Sequence, residues 1–163
     1  KTVQSFEQLS IETIDSDIHT TDDGLYALNT FICRHKILGG NLIQRDIQNI
    51  KKKITSVITS QSNKSLTKVR SKTKKIFEYR TKVYITDIPK KNRTHITLET
   101  LDKPNLLSKV AKIFLDHGVS IDSARITTLG EKVEDNFTVI DEKTKLALSK
   151  NKAQLLQKKF KSL

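Results

Sequence analysis

The chain has 163 residues, of which 36% are hydrophobic and 29% are charged, so it can bury the core of one compact domain or of two small ones. A single cysteine, Cys33, excludes an intrachain disulfide framework and a cysteine-based zinc site. No apolar run approaches the roughly 20 residues of a membrane-spanning helix, and no signal-peptide pattern opens the chain. We therefore expect a soluble, cytoplasmic protein with no membrane partner.

The net charge of +12 is concentrated in one segment. Between Lys51 and Arg93 the chain carries 14 basic residues and only two acids, Glu78 and Asp87, so the remainder of the chain is neutral overall. Lysine greatly exceeds arginine, whereas recognition of phosphates and bases favours the arginine fork. This distribution favours a solvated linker over a nucleic-acid interface.

Hydrophobic periodicity in the first part of the chain predicts the end of a helix, a β-hairpin and a second helix. Spacings of three and four residues between apolar positions are typical of helices, and alternation is typical of strands. Asp22-Asp23-Gly24 is a turn sequence of the kind that joins two antiparallel strands. The predicted elements are the last turns of a helix around Val3, Phe6 and Leu9, strands over 11–21 and 25–33, and a helix over 42–58.

A stretch at 59–81 that is rich in Ser, Thr and Lys predicts a basic linker, after which the pattern of strands and helices resumes. Gly118 has the position of a glycine that ends a helix, and Ser149 has that of a residue that caps the start of one. The predicted elements are strands over 82–88 and 94–101, a helix from Leu106 to Gly118, strands over 119–129 and 133–140, and a last helix after Ser149.

Two passes through one structural unit account for this order of elements, and short sequence echoes support the repeat. Residues 16–20 (Ser-Asp-Ile-His-Thr) lie 108 positions before residues 124–128 (Ala-Arg-Ile-Thr-Thr), and residues 29–31 (Asn-Thr-Phe) lie 106 positions before 135–137 (Asp-Asn-Phe). The decrease in offset from 108 to 106 indicates that the first hairpin has two residues more than the second. An offset of 107 would move every side chain to the opposite face of the strand, so we prefer 108.

Residues with catalytic chemistry are few and form no known catalytic pattern. The histidines lack metal-ligand spacing, and the glycines form no phosphate-binding loop. Cys33 lies in an apolar strand, which indicates a structural thiol. The neighbours Glu134 and Asp135 point to opposite faces of their strand and are not expected to act as a carboxylate pair. We expect no catalytic residue, no metal site and no cofactor within this chain.

The loop from Leu101 to Leu107 has features of a site for a small anion. A strand ends there, Asp102 can cap the following helix, Pro104 suits its first position, and Leu106 and Leu107 enter the core. Backbone amides at such a helix start carry partial positive charge and can hold a carboxylate. Taken alone, the same residues also fit an ordinary helix cap.

In its context, this loop resembles the Asp-x-Pro-Gly-Leu-Leu loop of ACT domains, which are small ligand-sensing modules of amino-acid metabolism. The similarity continues through three further runs in the second half of the chain and two in the first half. The second half is specifically similar to the C-terminal ACT repeat of the bacterial uridylyltransferase/uridylyl-removing enzyme family, and the first half to the repeat before it. The runs are Ala111–Phe114, His117–Ile121, Ala124–Phe137, Ile18–Gly24 and Asn29–Phe31.

The resemblance implies an α+β fold of ferredoxin-like (βαββαβ) ACT repeats, with antiparallel sheets and helices on one face. On this basis residues 1–58 form an incomplete first repeat, 59–81 a basic linker, 82–88 a strand that completes one of the repeats, and 93–163 the second repeat. The opening strand and loop of the first repeat are absent, and so are the catalytic regions of the family. We therefore expect a C-terminal regulatory fragment.

The resemblance also implies a function. Enzymes of the family add UMP to the P-II signal protein and remove it, with UTP and Mg²⁺ used outside this fragment, and their ACT repeats sense L-glutamine. We predict that the carboxylate of glutamine lies near the backbone amides of Asn105 and Leu106. The amino group or side-chain amide would then meet Asp102, or Ser120 and Asp122 at the start of the following strand. Asn105 stands where the family has glycine, which would keep the backbone geometry and narrow ligand access.

Exposed sheet edges of the incomplete repeat predict a homodimer. Two other functions stay open. One is an ACT-like dimerisation or interaction module without ligand binding. The other is a small basic RNA-binding protein of the same fold class, which would stack bases on aromatic residues of its central strands. Strand 94–101 has no aromatic residue, and strand 133–140 has Phe137 alone.

Overall fold

The computed structural model describes residues 2–21, 23–35, 44–59 and 79–163. Most of the predicted linker (60–78), residue 22 of the predicted turn and the first two residues of the helix predicted over 42–58 lie outside this part of the chain. A short 3-10 turn at Pro89–Lys91 follows the third strand. The other elements are α1 (Thr2–Gln8), β1 (Ile11–Thr20), β2 (Ala27–His35), α2 (Gln44–Thr59), β3 (Lys82–Ile88), β4 (Arg93–Leu101), α3 (Leu106–Asp116), β5 (Val119–Leu129), β6 (Lys132–Asp141) and α4 (Lys150–Lys161).

All six strands form one antiparallel sheet in the order β2-β1-β5-β6-β4-β3. β4 alternates fully buried residues such as Ile96 and Leu98 with partly exposed ones such as His95 and Thr97, which indicates one covered face and one open face. On the covered face α3 packs against α4 and β5, and α1 packs against α2, β1 and α3. The expected α+β, antiparallel, ferredoxin-like fold is confirmed, with the difference that both repeats share a single sheet.

The elements recur at the offsets indicated by the sequence. β1 begins 108 positions before β5, and α2 begins 106 positions before α4. Both β1 and β5 contain an irregularity of pairing, between Thr13 and Asp15 in β1 and between Ile121 and Ser123 in β5. A β-bulge changes the facing of side chains at one defined position. Because the two bulges also lie 108 positions apart, the offset of 108 is confirmed for these strands.

Each repeat contains the same edge-to-face pair of phenylalanines. Phe6 of α1 contacts Phe31 of β2 with ring centroids 5.1 Å apart, and Phe114 of α3 contacts Phe137 of β6 with centroids 5.2 Å apart. Such a pair contributes about 0.5–1.5 kcal/mol beyond the area that it buries. Phe160 of α4 adds a third ring against Phe114 at 5.3 Å. Helix and sheet are therefore joined at the same two positions in each repeat, and the core is larger in the second.

β1 and β5 join the two repeats, and we call their contact the seam. Asp17 pairs with Arg125, the residue 108 positions further along the chain. The two strands that pair at the seam, β1 and β5, are therefore the equivalent strands of the two repeats, and they run antiparallel. The Oγ1 of Thr20 donates a hydrogen bond to the carbonyl of Ile121 across the seam at 3.0 Å. The repeats are therefore related by an approximate two-fold axis, as in a symmetric dimer.

β3 completes the sheet on the side of the second repeat. It pairs with β4 from Lys82 opposite Glu99 to Ile88 opposite Arg93. The side-chain amide of Gln157 in α4 donates to the carbonyl of Val83 at 3.1 Å, which ties the edge strand to the helix layer. The sequence had left open which repeat this strand serves.

The predicted helix boundaries around α4 and at the end of α3 are confirmed. The Ser149 side chain accepts a hydrogen bond from the backbone N–H of Lys152 at 3.3 Å and so caps α4. Gly118 follows α3 with φ +60°, a left-handed conformation that glycine adopts without strain.

Candidate ligand-binding site

The loop between β4 and α3 is closed by a tight turn. The backbone N–H of Leu106 donates to the carbonyl of Lys103 at 3.0 Å. α3 begins at Leu106 with Asn105 as its N-cap, and the Asn105 side chain makes no cap hydrogen bond. The expectations that Asp102 caps this helix and that Pro104 is its first residue are therefore wrong, because the turn places the helix start beyond both.

Asn105 adopts a left-handed backbone conformation, with φ +62° and ψ +24°. Asparagine tolerates this region better than other residues with a side chain, so the loop keeps a geometry that suits glycine. The N–H of Leu106, one of the two amides predicted to meet a carboxylate, is already used by the turn. The amides of Leu107 and Ser108 follow in the first helical turn, and the N–H of Lys109 already donates to the carbonyl of Asn105 at 3.0 Å. They carry the partial positive charge of the α3 N-terminus.

A cleft lies between this loop and the first repeat, and we call it the seam cleft. The space between its walls is about 540 Å³, a figure that includes open solvent. Its floor includes the apolar residues Ile126 of β5 and Val133 of β6. Its two walls consist of Asp102, Asn105 and Leu106 on the loop side and Ile11, Glu12 and Thr13 on the β1 side.

The five residues predicted as ligand contacts do not lie together. Those that line the seam cleft are Asp102, Asn105 and Leu106. Ser120 and Asp122 lie at the other end of the sheet, because the last residue of β5, and not its first, is beside the end of β4. Asp122 instead forms an ion pair with Arg93, with 3.3 Å between its Oδ2 and the arginine Nε. The predicted grouping is therefore corrected.

Glu12 occupies the place in the cleft where Ser120 was expected. The two residues are equivalent, since they lie 108 positions apart, each near the start of its strand. Because β1 and β5 pair antiparallel, the start of β1 lies beside the end of β5 and hence beside Asp102. The strand start that lines the cleft is therefore that of β1, from the first repeat, and not that of β5. The repeat offset, combined with antiparallel pairing of equivalent strands, is the signal that could have found Glu12.

Charged residues of both repeats meet at the cleft. The Nε of Arg34 in β2 donates to the Oε2 of Glu12 at 2.6 Å. This hydrogen bond raises the pKa of Arg34, and the carboxylate of Asp102 acts in the same direction. The Nζ of Lys103 donates to the backbone carbonyl of Leu163 at 2.8 Å, which ties the loop to the end of the α4 segment. The cleft walls therefore carry the carboxylate of Asp102, the carboxylate of Glu12 that is paired with Arg34, and the start of α3.

Other reactive side chains give little chemistry. Among the described residues, no group of three His, Cys, Asp or Glu side chains is arranged to hold a metal ion. Cys33 is partly buried, and burial raises the pKa of its thiol, so it is not activated as a nucleophile. Glu134 and Asp135 lie on opposite faces of β6, as expected, with Glu134 exposed and Asp135 buried. No helix in the described part of the chain is long and apolar enough to cross a membrane.

The shared antiparallel sheet and the two repeats define a ferredoxin-like α+β region, with a cleft between a strand–helix loop and the neighbouring repeat. The chain is 30% identical over 158 residues to the bifunctional uridylyltransferase/uridylyl-removing enzyme of Psychrobacter arcticus, in a match that covers 96% of the chain. The enzymes of that name from Pseudoalteromonas translucida and Haemophilus influenzae are 30% identical over 143 residues and 33% identical over 129 residues, which cover 87% and 78% of the chain. The chain is homologous to the C-terminal region of these enzymes.

The chain spans only 17%, 16% and 15% of the lengths of these three relatives. No protein-family model matches the chain, and no solved structure matches it. The resemblance found in the sequence is confirmed by the relatives, and it extends over both repeats.

Proposed function

We propose that this chain is the regulatory region of a bifunctional uridylyltransferase/uridylyl-removing enzyme and that it senses L-glutamine. The observation that carries the proposal is the seam cleft, which both repeats line with groups suited to a free amino acid. The names of the relatives supply two opposing activities, transfer of a uridylyl group and its removal. The resemblance to the family supplies the P-II signal protein as the protein modified by the intact enzyme.

In this proposal, glutamine lies in the seam cleft with its carboxylate toward the first-turn amides of α3 and its ammonium group toward Asp102 and Glu12. Anions at a helix N-terminus are favoured by about 0.3–1 kcal/mol at exposed sites, and more when partly buried. The side-chain amide of glutamine both donates and accepts hydrogen bonds, and so do the side chains of Asn105 and Thr13 in the cleft walls.

The position of the cleft suggests how a ligand would regulate the enzyme. A ligand shifts an equilibrium between two arrangements only if it binds one of them better. Since residues of both repeats line the cleft, its affinity for glutamine depends on how the repeats are arranged at the seam. We propose that bound glutamine favours the arrangement in which UMP is removed from the P-II protein, while transfer from UTP with Mg²⁺ takes place in other regions of the enzyme.

Isothermal titration of the 163-residue protein with L-glutamine tests this function, with L-glutamate and L-asparagine as controls for selectivity. We expect glutamine to bind in preference to both. The double variant Asp102→Ala, Asn105→Ala should bind at least about tenfold more weakly, which corresponds to the loss of one charge-assisted hydrogen bond. Asp116→Ala, an exposed position at the far end of α3, serves as the matched control. Unchanged affinity in the double variant would contradict the placement of the ligand, and absence of binding would contradict glutamine sensing.

A second candidate function, self-association without ligand binding, is favoured by the edge strand β2. Its residues Leu28 and Ile32 are 72% and 55% exposed, and no described strand pairs with its outer edge. The other edge strand, β3, begins with Lys82 and is followed by Pro89, both of which discourage strand pairing. We therefore propose that a homodimer forms through β2 rather than through β3.

The RNA-binding alternative depended on Phe137, the aromatic residue of the central strands. Phe137 is 3% exposed and packs against Phe114 in the core. Its ring is therefore not available to stack on a base, and the structure does not favour this alternative.

A further inference from the structure

Asp135 is a fully buried carboxyl group beneath the seam cleft. Its exposure is 0%, neither of its oxygens has a hydrogen bond of full geometry among the described residues, and the backbone N–H of Thr127 is the donor that approaches it. In the sheet it lies between Leu98 of β4 and Ile126 of β5, both of which are buried on the covered face. Burial of a carboxyl group without hydrogen bonds destabilises a fold, and such groups therefore require an explanation.

Two neighbours define the position of Asp135 relative to the cleft. Ile126 is its partner on β5, and Val133 precedes it by two residues on the same face of β6; both line the cleft. Asp135 itself does not line the cleft; it lies directly beside Ile126 and two residues beyond Val133. The charge of Asp102, in the cleft wall, acts on the Asp135 carboxyl group.

The charged group that acts on Asp135 is Asp102 of the loop. The other charged groups at the cleft are Lys103 of the loop and Glu12 of β1, to which Arg34 of β2 is bonded. The neighbouring strands and helices present apolar or hydroxyl side chains on the covered face. These are Leu98 and Thr100 of β4, Ile126 and Thr128 of β5, Leu106, Ser108 and Val110 of α3, and Leu156 and Phe160 of α4.

The equivalent position of the first repeat is exposed and carries an amide in place of the carboxyl group. Asn29 of β2 lies 106 positions before Asp135 and pairs with Ile18, just as Asp135 pairs with the equivalent Ile126. A side-chain amide has nearly the shape of a carboxyl group and does not ionise. The ionisable group is therefore present in the repeat whose loop forms the cleft, and an amide takes its place in the other.

We propose that Asp135 determines the ligand specificity of the seam cleft. When a ligand with an ammonium group binds, Asp135 loses its proton, and the resulting carboxylate favours this ligand over one that lacks an ammonium group. The O–H bond of the carboxyl group breaks, its electron pair stays on the carboxylate, and the proton passes to the solvent buffer. This inference rests on the proposed function, since glutamine is the ligand that supplies the ammonium group.

Electrostatics give the direction of the effect. Burial raises the pKa of Asp135 to about 8, Asp102 adds to the rise, and the backbone of Thr127 opposes it. In the ligand-free protein at pH 7 the carboxyl group is therefore mostly protonated. A cation in the cleft stabilises the ionised form and lowers the pKa. Binding then releases a proton, and the affinity rises with pH until the group is ionised in the free protein as well.

Isothermal titration of the full 163-residue chain at pH 6.0, 7.0 and 8.0, in two buffers of different ionisation enthalpy, measures this release. We expect about half a proton or more per glutamine at pH 7.0, and an affinity about tenfold higher at pH 8.0 than at pH 6.0. Glutaramate, which is glutamine without the α-amino group, should bind more weakly and release no proton. This comparison uses the unaltered protein and does not depend on the folding of a variant.

Two variants test whether the released proton comes from Asp135. Asp135→Asn, which copies Asn29 of the first repeat, should abolish both the proton release and the preference for glutamine over glutaramate. Glu134→Gln, on the open face of the same strand, should change neither. Glutamine binding without proton release would overturn this inference and leave the proposed function standing, and release that persists in Asp135→Asn would overturn the assignment. Absence of glutamine binding at all three pH values would overturn both proposals.

Discussion

Asp17 of β1 pairs with Arg125 of β5, and each residue occupies the same position in its own repeat. Because the pairing is antiparallel, Ser16 pairs with Ile126, the counterpart of Ile18. In the same way, Ile18 pairs with Ala124, the counterpart of Ser16. The two repeats therefore meet about an approximate two-fold axis, as two copies of one subunit would. The seam cleft follows from this symmetry, because the axis brings the start of one repeat's strand to the loop of the other.

Ser16 places an unsatisfied hydroxyl group in the seam. It is 3% exposed, and its Oγ has no hydrogen-bond partner among the described residues. The equivalent residue in the second repeat is Ala124. We expect Ser16→Ala to raise the free energy of unfolding by about 1 kcal/mol, because it removes a buried polar group that makes no hydrogen bond. Urea denaturation measures the change, with the partly exposed Ser123→Ala as control, and a loss of stability in Ser16→Ala would contradict the prediction.

Asn105 carries the left-handed backbone of the cleft loop. A residue with a Cβ and no local hydrogen-bonding side chain is disfavoured there by about 1–2 kcal/mol, so Asn105→Ala should lower the free energy of unfolding by about 1 kcal/mol. Asn105→Gly should leave it nearly unchanged, because glycine adopts this φ without strain. Denaturation of the three proteins under one condition compares them. Equal stability of the alanine and glycine variants would show that the loop relaxes to another conformation.

The raised pKa of Asp135 predicts that the free energy of unfolding falls as the pH rises from mildly acidic to alkaline values. Its pKa of about 8 in the folded protein lies above the value of 3.8 expected without the fold. Between these values the folded protein binds a proton that the unfolded chain lacks. The free energy of unfolding therefore decreases as pH rises through this window, by up to about 1.4 kcal/mol per pH unit from this group, and levels off above pH 8.

Asp135→Asn should remove this slope and should be more stable than the unaltered protein at pH 8. Urea denaturation at pH 5, 6, 7 and 8 provides the comparison, and Glu134→Gln should keep the slope of the unaltered protein. Parallel pH profiles for the unaltered protein and Asp135→Asn would show that Asp135 is ionised throughout this range.

Ile32 tests the proposed dimer edge. If copies of the chain associate through β2, Ile32→Lys places a charge on the pairing strand, and sedimentation equilibrium should show a shift from dimer to monomer. Thr86→Lys, at an exposed position of the opposite edge strand β3, is the matched control and should leave the dimer intact. A monomeric unaltered protein at high concentration, or a dimer in both variants, would contradict association through β2.

Local sequence signals predicted most of the secondary structure. The strands at 82–88 and 119–129 have the predicted bounds, and the cap at Ser149 and the glycine at Gly118 lie where their residue types indicate. The first hairpin differs, since β2 begins at Ala27 and not at Leu25. There the backbone N–H of Thr21 donates to the carbonyl of Tyr26, which extends the turn beyond the three residues of the Asp-Asp-Gly signal.

The candidate site was predicted only in its local part. Asp102, Asn105 and Leu106 follow one another along the chain, so a loop motif was enough to group them. Ser120 and Asp122 were grouped with them by analogy within one repeat. The residue that the structure brings to the cleft is Glu12, which comes from the other repeat. Only the antiparallel register of the seam distinguishes these two strand starts.

The sequence by itself determined what depends on neighbours along the chain: the elements, their caps, the internal repeat and the family to which the chain is similar. The tertiary structure alone decided that both repeats share one sheet, that β3 lies beside β4, and that Glu12 meets the loop at Asp102. It also decided that Asp135 is fully buried. The physical reason is that strand pairing joins residues more than 100 positions apart, and that burial depends on what packs above a side chain. Periodicity shows which face a residue takes, but it does not show what covers that face.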